Sequence, residues 1–147
     1  MKTVKTIFLA LTVSFSLMTL ASCKREGCTN SDAVNYDDNA ASDDGSCHFE
    51  GGLVFWYNHA TSQFLVGDDA ASLTFYVNGQ VIGSTATNVY WTSEPDCGQN
   101  GSISYTKNMG KSQSQTVTYS VVDDTNHEYW TNSITIEANT CKSVQLN

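Results

Sequence analysis

The sequence predicts an all-β fold, an immunoglobulin-like or transthyretin-like β-sandwich of seven to eight strands over residues 48–147. Short runs rich in Val, Ile, Thr, Tyr, Phe and Trp recur there, and Asn/Gly/Asp/Ser clusters separate them at sandwich-like spacing. No apolar stripe of 3.6-residue period competes with them.

Eight strands are expected: Leu53 to Tyr57, Leu73 to Val77, Val81 to Thr85, Val89 to Thr92, Ser102 to Thr106, Thr116 to Val122, Tyr129 to Glu137 and Ser143 to Leu146. Asn78-Gly79, between the second and third, is a strong hairpin signal because both residues tolerate the positive φ that a tight turn needs. Alternation assigns the faces. Leu73, Phe75 and Val77 point inward with Thr74 and Tyr76 outward; Val117, Tyr119 and Val121 point inward with Thr116, Thr118 and Ser120 in water. Trp130 falls on the side of Ile134 and Ile136 and is assigned to the core by the same rule.

Ahead of this domain, Lys2 and Lys5 precede an apolar stretch from about Ile7 to Leu20, the layout of a secretory signal covering residues 1–22. The stretch is shorter than the roughly 20 residues a membrane span needs. Leu20-Ala21-Ser22-Cys23 resembles the lipobox of bacterial lipoproteins, which implies removal of the signal and lipidation of Cys23. Several acyl chains, palmitate among them, anchor stably because each buried methylene contributes about 0.8 kcal/mol. Residues 23–27 are then a lipidated terminus and spacer. The expected location is the bacterial cell envelope, at the outer membrane, with the lipid anchor making the membrane a partner.

Setting Cys23 aside leaves Cys28, Cys47, Cys97 and Cys141, an even number in a chain sent to an oxidising compartment. Four cysteines permit three connectivities. Cys28 and Cys47 bracket one self-contained segment, which favours their pairing and leaves Cys97 with Cys141.

Without Lys2 and Lys5, five basic residues face fifteen acids, a formal charge of −10. That argues against nucleic acid and anionic headgroups, which need a basic patch, and makes divalent cations more plausible partners. The acids concentrate in residues 28–47, where five Asp and three Asn occur without a basic residue. Asn30, Asp32, Asn35, Asp37, Asn39, Asp43 and Asp44 are the candidate oxygen ligands for calcium, a hard cation that takes six to eight oxygens. The spacing does not fit the EF-hand pattern. The same residue types also serve turns, and Asp43-Asp44-Gly45 is a natural one.

This segment resembles a short module found in secreted and surface proteins of Bacteroidota, Cys-Thr-Asp-x-x-Ala-x-Asn-Tyr-x-x-x-Ala-x-x-Asp-Asp-Gly-Ser-Cys. Ala33, Asn35, Tyr36, Ala40 and Asp43 to Ser46 fit it, whereas Asn30 stands where the module has Asp. The resemblance implies a surface location and a spacer or cap, with one charge fewer for any cation. The rest of the chain is similar to small Bacteroidota lipoprotein domains of undefined activity, through Gly51-Gly-Leu-Val-Phe-Trp56, Phe75-Tyr-Val-Asn-Gly-Gln-Val-Ile-Gly83, Pro95-Asp-Cys97 and Tyr129-Trp-Thr-Asn-Ser-Ile-Thr-Ile136. That likeness implies a Cys97 to Cys141 staple and no particular reaction.

No enzyme is expected. His48, His59 and His127 stand alone in loops or at strand edges, and neither a metalloprotease helix motif nor a Gly-x-Ser-x-Gly elbow occurs. Asp68-Asp69 and Asp123-Asp124 read as solvated turn acids. The expected role is noncatalytic binding or envelope structure, with an envelope protein or a polysaccharide as partner. Rings with one apolar and one polar end can stack on sugars, and Trp56, Tyr76 and Trp91, with Tyr57 and Tyr90, are the candidate platforms.

Overall fold

A computed structural model describes residues 24–147, so the signal-peptide and Cys23 readings lie outside the described residues. Nine strands in three sheets and one helix follow in chain order: β1 (Glu26–Gly27), β2 (Ser42–Asp43), β3 (Phe49–Tyr57), α1 (His59–Gly67), β4 (Ser72–Val77), β5 (Gln80–Ala86), β6 (Ile103–Gly110), β7 (Ser114–Asp123), β8 (Glu128–Glu137) and β9 (Cys141–Leu146). Seven of the eight expected strands are present, most of them longer than the apolar run that signals them.

The eighth, Val89 to Thr92, is not a strand. Val89 N–H closes a turn on the Ala86 carbonyl, and Trp91 N–H meets the Tyr57 carbonyl as a single rung, so the β-branched residues there have no ladder to join. The helix α1 is the second correction. Asn58 caps it, its side-chain oxygen accepting the Thr61 N–H at 3.0 Å. At the other end Asp69 takes a left-handed φ of 62° while Ala70 N–H bonds back to the Leu65 carbonyl, the pattern that closes a helix. Its buried residues are Thr61, Ser62 and Leu65. Two of those three are hydroxyl residues, which is why no apolar stripe announced the helix.

Two sheets carry the domain. One runs β6-β3-β9, with β3 antiparallel to β6 and parallel to β9; the other runs β5-β4-β7-β8, antiparallel throughout. Their inner faces meet in one buried cluster that includes Leu53 and Phe55 from the first sheet and Leu73, Phe75, Val117, Val121 and Ile136 from the second. The Phe55 ring lies 5.8 Å from Phe75 and 5.2 Å from Tyr119, spanning the sheets.

The face assignments hold for β4 and β7. Leu73, Phe75, Val77, Val117 and Val121 are buried, Tyr119 packs half-buried against them, and Thr116 and Thr118 are exposed. Asn78 and Gly79 both have positive φ, 48° and 74°, as the hairpin requires. Trp130 packs half-buried on the core beside Ile134 and Ile136. A register shift at Val121/Val122 leaves Tyr129 as the extra residue of a bulge, with its ring 5.5 Å from that of Trp130.

The strand β3 is buried on both faces, since Val54 as well as Leu53 and Phe55 is shielded. The disulfide Cys97–Cys141 supplies cover on the outer side: Cys141 pairs with Gly52 in the sheet, and a Cβ on Gly52 would lie 3.0 Å from the Cys97 sulfur. The other disulfide, Cys28–Cys47, closes the acidic module. Cys28, Ala33 and Cys47 belong to the same buried cluster as Phe49. The module is thus packed onto the domain where β3 begins, while α1 follows directly where β3 ends.

Candidate functional site

Two places collect many of the residues singled out by the sequence: the acidic module at one pole, and the surroundings of α1 at the other.

In the module the side-chain oxygens point to backbone N–H groups. Asn30 Oδ1 accepts from Asp32 N–H, Asp37 Oδ1 from Asn39 N–H, Asp43 Oδ1 from Gly45 N–H and Asp44 Oδ1 from Ser46 N–H, each two residues ahead. These are Asx-turns, in which a short side chain replaces a backbone acceptor. Asn35 ties the module to its exit, its amide donating to the Ser46 carbonyl at 2.8 Å and its oxygen accepting from His48 N–H at 2.8 Å. Asp37 also pairs with Arg25, Nε to Oδ2 2.9 Å. The hydroxyl and N–H of Ser46 hold the Asp44 carboxyl below the usual carboxylate range. Asp32 lies by the turn of Glu137 to Thr140, and the Asn39 amide contacts Asp38. Among the described residues, no three or more His, Cys, Asp or Glu side chains gather as a metal-holding group.

At the α1 pole, the first helical residue His59 stacks on Tyr90, ring centroids 4.7 Å apart and tilted by 47°. This pair divides one open groove into two hollows. The first, about 440 Å³, lies between the helix residues His59, Ser62, Gln63 and Val66 and the loop residues Asn88 and Tyr90. The second, about 450 Å³, runs past Asn58 and Ala60 to Trp91 and Thr92. Phe64, Val66, Val89 and Tyr90, four of the seven exposed large apolar side chains among the described residues, lie on α1 or this loop.

The floor of the groove is fixed by buried hydroxyls. Thr87 Oγ1 donates to the Ala70 carbonyl at 2.7 Å, Ser62 Oγ to the Thr87 carbonyl at 2.7 Å and Thr61 Oγ1 to the Leu146 carbonyl at 3.2 Å. These bonds join the helix, the 87–92 loop and the end of β9, and Leu65 seats the helix in the core beside them.

The acids at this pole are structural. Asp124 Oδ1 accepts from Ala71 and Ser72 N–H, which holds its carboxyl below the usual range. Burial pushes the Asp123 carboxyl up, and hydrogen bonds from His127 and Thr125 outweigh it, so this group too lies low. Asp68 accepts from the Tyr129 hydroxyl at 2.6 Å, a bond that raises the Tyr129 phenol to about 12. His127 and Phe64 each meet the Tyr129 ring edge-on, so a second aromatic cluster flanks the helix.

The three platform candidates are not brought together. Trp91 lines the groove, Trp56 is half-buried on β3 with Nε1 donating to Ser143 Oγ at 2.8 Å, and Tyr76 stands half-buried on β4 in the other sheet. Tyr57 is a correction: it is buried, its hydroxyl donating to the Ala86 carbonyl at 3.0 Å, and burial pushes its phenol up to about 12. Two of the three histidines do not stand alone. His59 sits in the helix and His127 in a turn, each against a tyrosine ring.

No helix among the described residues is long and apolar enough to cross a membrane. Comparison with known proteins finds no match to this chain among family models, curated proteins or solved structures.

Proposed function

We propose that this chain is a cell-envelope lipoprotein, anchored through lipidated Cys23, whose β-domain binds a partner without catalysing a reaction. The two packed sheets are read as a sandwich of the immunoglobulin-like or transthyretin-like kind, a scaffold whose end loops commonly carry recognition sites. The observation that carries the binding role is the groove at the α1 pole, where His59, Tyr90 and Trp91 expose ring surface beside the amides of Gln63 and Asn88. Rings plus amides recognise shape and hydroxyl groups. No Lys or Arg occurs between residues 58 and 92, Asp68 caps the end of α1, and Asp124 holds the Ala71 and Ser72 N–H groups that follow it. An anionic ligand would be repelled there.

A neutral saccharide suits these groups best: sugar rings stack on aromatic faces, and their hydroxyls match amide donors and acceptors. The test is a titration of soluble neutral oligosaccharides, of glucose, mannose and N-acetylglucosamine, followed by tryptophan fluorescence and calorimetry. Saturable binding by at least one of them is expected, weakened about tenfold or more by Trp91→Ala or Tyr90→Ala, as for loss of one aromatic contact of about 1.5 kcal/mol. Heat that survives both substitutions would move the site elsewhere, and no binding by any of the series would remove the saccharide reading.

Calcium binding by the module is tested separately from this proposal. The acid density of the module favours it, while the Asx-turns favour a capping role for the same oxygens. With five of the seven candidate ligands, Asn30, Asn35, Asp37, Asp43 and Asp44, bonded to backbone and Asp37 also paired to Arg25, calorimetric titration of calcium is expected to give no saturable heat and an unchanged melting temperature. Saturable heat that disappears in the Asp43→Ala/Asp44→Ala variant would establish a calcium-dependent role instead.

A further inference from the structure

The domain has two poles, and the chain assigns them different neighbours. The start of β3 carries the disulfide-closed module and its end leads into α1. Nine residues of β3 set the poles about 26 Å apart at roughly 3.3 Å per residue. The N-terminal segment lies along the module: Glu26 and Gly27 pair with Ser42 and Asp43, Ala41 N–H bonds the Arg25 carbonyl, and Arg25 bridges to Asp37. Only Lys24 and Arg25 lie between Cys23 and Glu26, three Cα steps or about 10 Å even when fully extended.

We propose that the module is a base seated on the headgroup layer of the anchoring bilayer, and that the α1 groove is held out from it, facing away. This rests on the lipid-anchor reading of Cys23. A tether of about 10 Å keeps the module pole at the bilayer, and with the module seated there the far end of β3 stands about 26 Å out. The base has the side chains for its neighbour: Lys24 and Arg25 stand next to the anchor, and Tyr36, exposed and adjacent to Cys28, has the amphipathic ring that sits at a membrane interface. The groove's partner is consequently a component beyond the anchoring bilayer, and not one of its lipids.

All three tryptophans suit the test, because Trp56 lies one residue from the α1 end of β3, Trp91 lines the groove and Trp130 bonds the Asn147 carbonyl. Residues 23–147, which hold every described element, would be oxidised at the two disulfides and coupled through the Cys23 thiol to a maleimide phospholipid. Fluorescence is then compared in vesicles of brominated and ordinary phosphatidylcholine. The native tryptophans are expected to be unquenched, and the added tryptophan of Ala41→Trp or Tyr36→Trp to be quenched. Quenching of the native set would overturn the outward-facing groove, and an unquenched tryptophan at both 36 and 41 would overturn the seated base. Because the coupling is chemical, these outcomes are independent of whether the cell lipidates Cys23, which a mass measurement decides separately.

Discussion

Gly51→Ala is expected to destabilise the domain by about 3 kcal/mol or more, the upper range for forcing an atom into a closed site. A Cβ at Gly51 would fall on the Glu137 carbonyl oxygen and 2.6 Å from Ile136 Cγ2. One of those obstacles is backbone, and the other belongs to a side chain buried in the core. Here β3 passes against β8 of the opposite sheet, so relief requires the sheets to part. Small domains are stable by roughly 5–15 kcal/mol, and the variant is expected to unfold at much lower urea concentration or to fail to accumulate. The comparison variant is Gly67→Ala. Nothing lies within 4 Å of its added carbon, and it ends a helix, where alanine is the better former. Equal urea midpoints for the two variants would contradict the close approach of β3 and β8.

Loss of the Cys97–Cys141 bridge is expected to be nearly as severe. It closes the longer loop, 44 residues of separation against 19 for Cys28–Cys47. The chain-entropy relation gives about 4 kcal/mol for the first and about 3 kcal/mol for the second. The longer bridge also fastens the first residue of β9, which joins β3 by a parallel ladder, to a loop over the outer face of the sheet. The Cys97→Ser/Cys141→Ser variant is expected to lose both stability and hydrogen-exchange protection along β9. The Cys28→Ser/Cys47→Ser variant is expected to loosen the module first. Urea midpoints and exchange rates for the two double variants check the order, and a more stable domain without the 97–141 bridge would contradict it.

The strands of the two packed sheets were legible because each has a one-sided or two-sided apolar run long enough to show its period, as in Leu73 to Val77 and Val117 to Val121, whereas the two-residue β1 and β2 have none. What escaped was held by polar groups. Helix α1 docks through Thr61 and Ser62 hydroxyls to carbonyls 85 and 25 residues away, partners that no local pattern reveals. Its Asn58 cap was a visible signal, but without an apolar stripe it read as loop. Residues 89–92 show the converse: strand propensity without a neighbouring strand to pair with gives a turn in which Tyr90 is exposed and Trp91 half-buried.

The site was legible in fragments for the same reason. Trp91 and Tyr90 stood out as ring types, whereas His59 and Gln63 join them and Asn88 only because the helix and the loop meet across more than 20 residues of chain. Tyr57 was misplaced because both faces of β3 are covered, so that alternation gives no warning of burial. The pairing of the cysteines followed from their bracketing positions, and the structure has both bridges.

An anchored two-pole protein stands or falls on Cys23. Intact-mass spectrometry of the protein recovered from the membrane fraction of a bacterial host that processes lipoproteins tests this most directly. The account predicts a chain beginning at Cys23, carrying several fatty acyl chains, with its other four cysteines oxidised in two bridges. A water-soluble protein with an unmodified Cys23, or one that begins elsewhere without acyl mass, would contradict it.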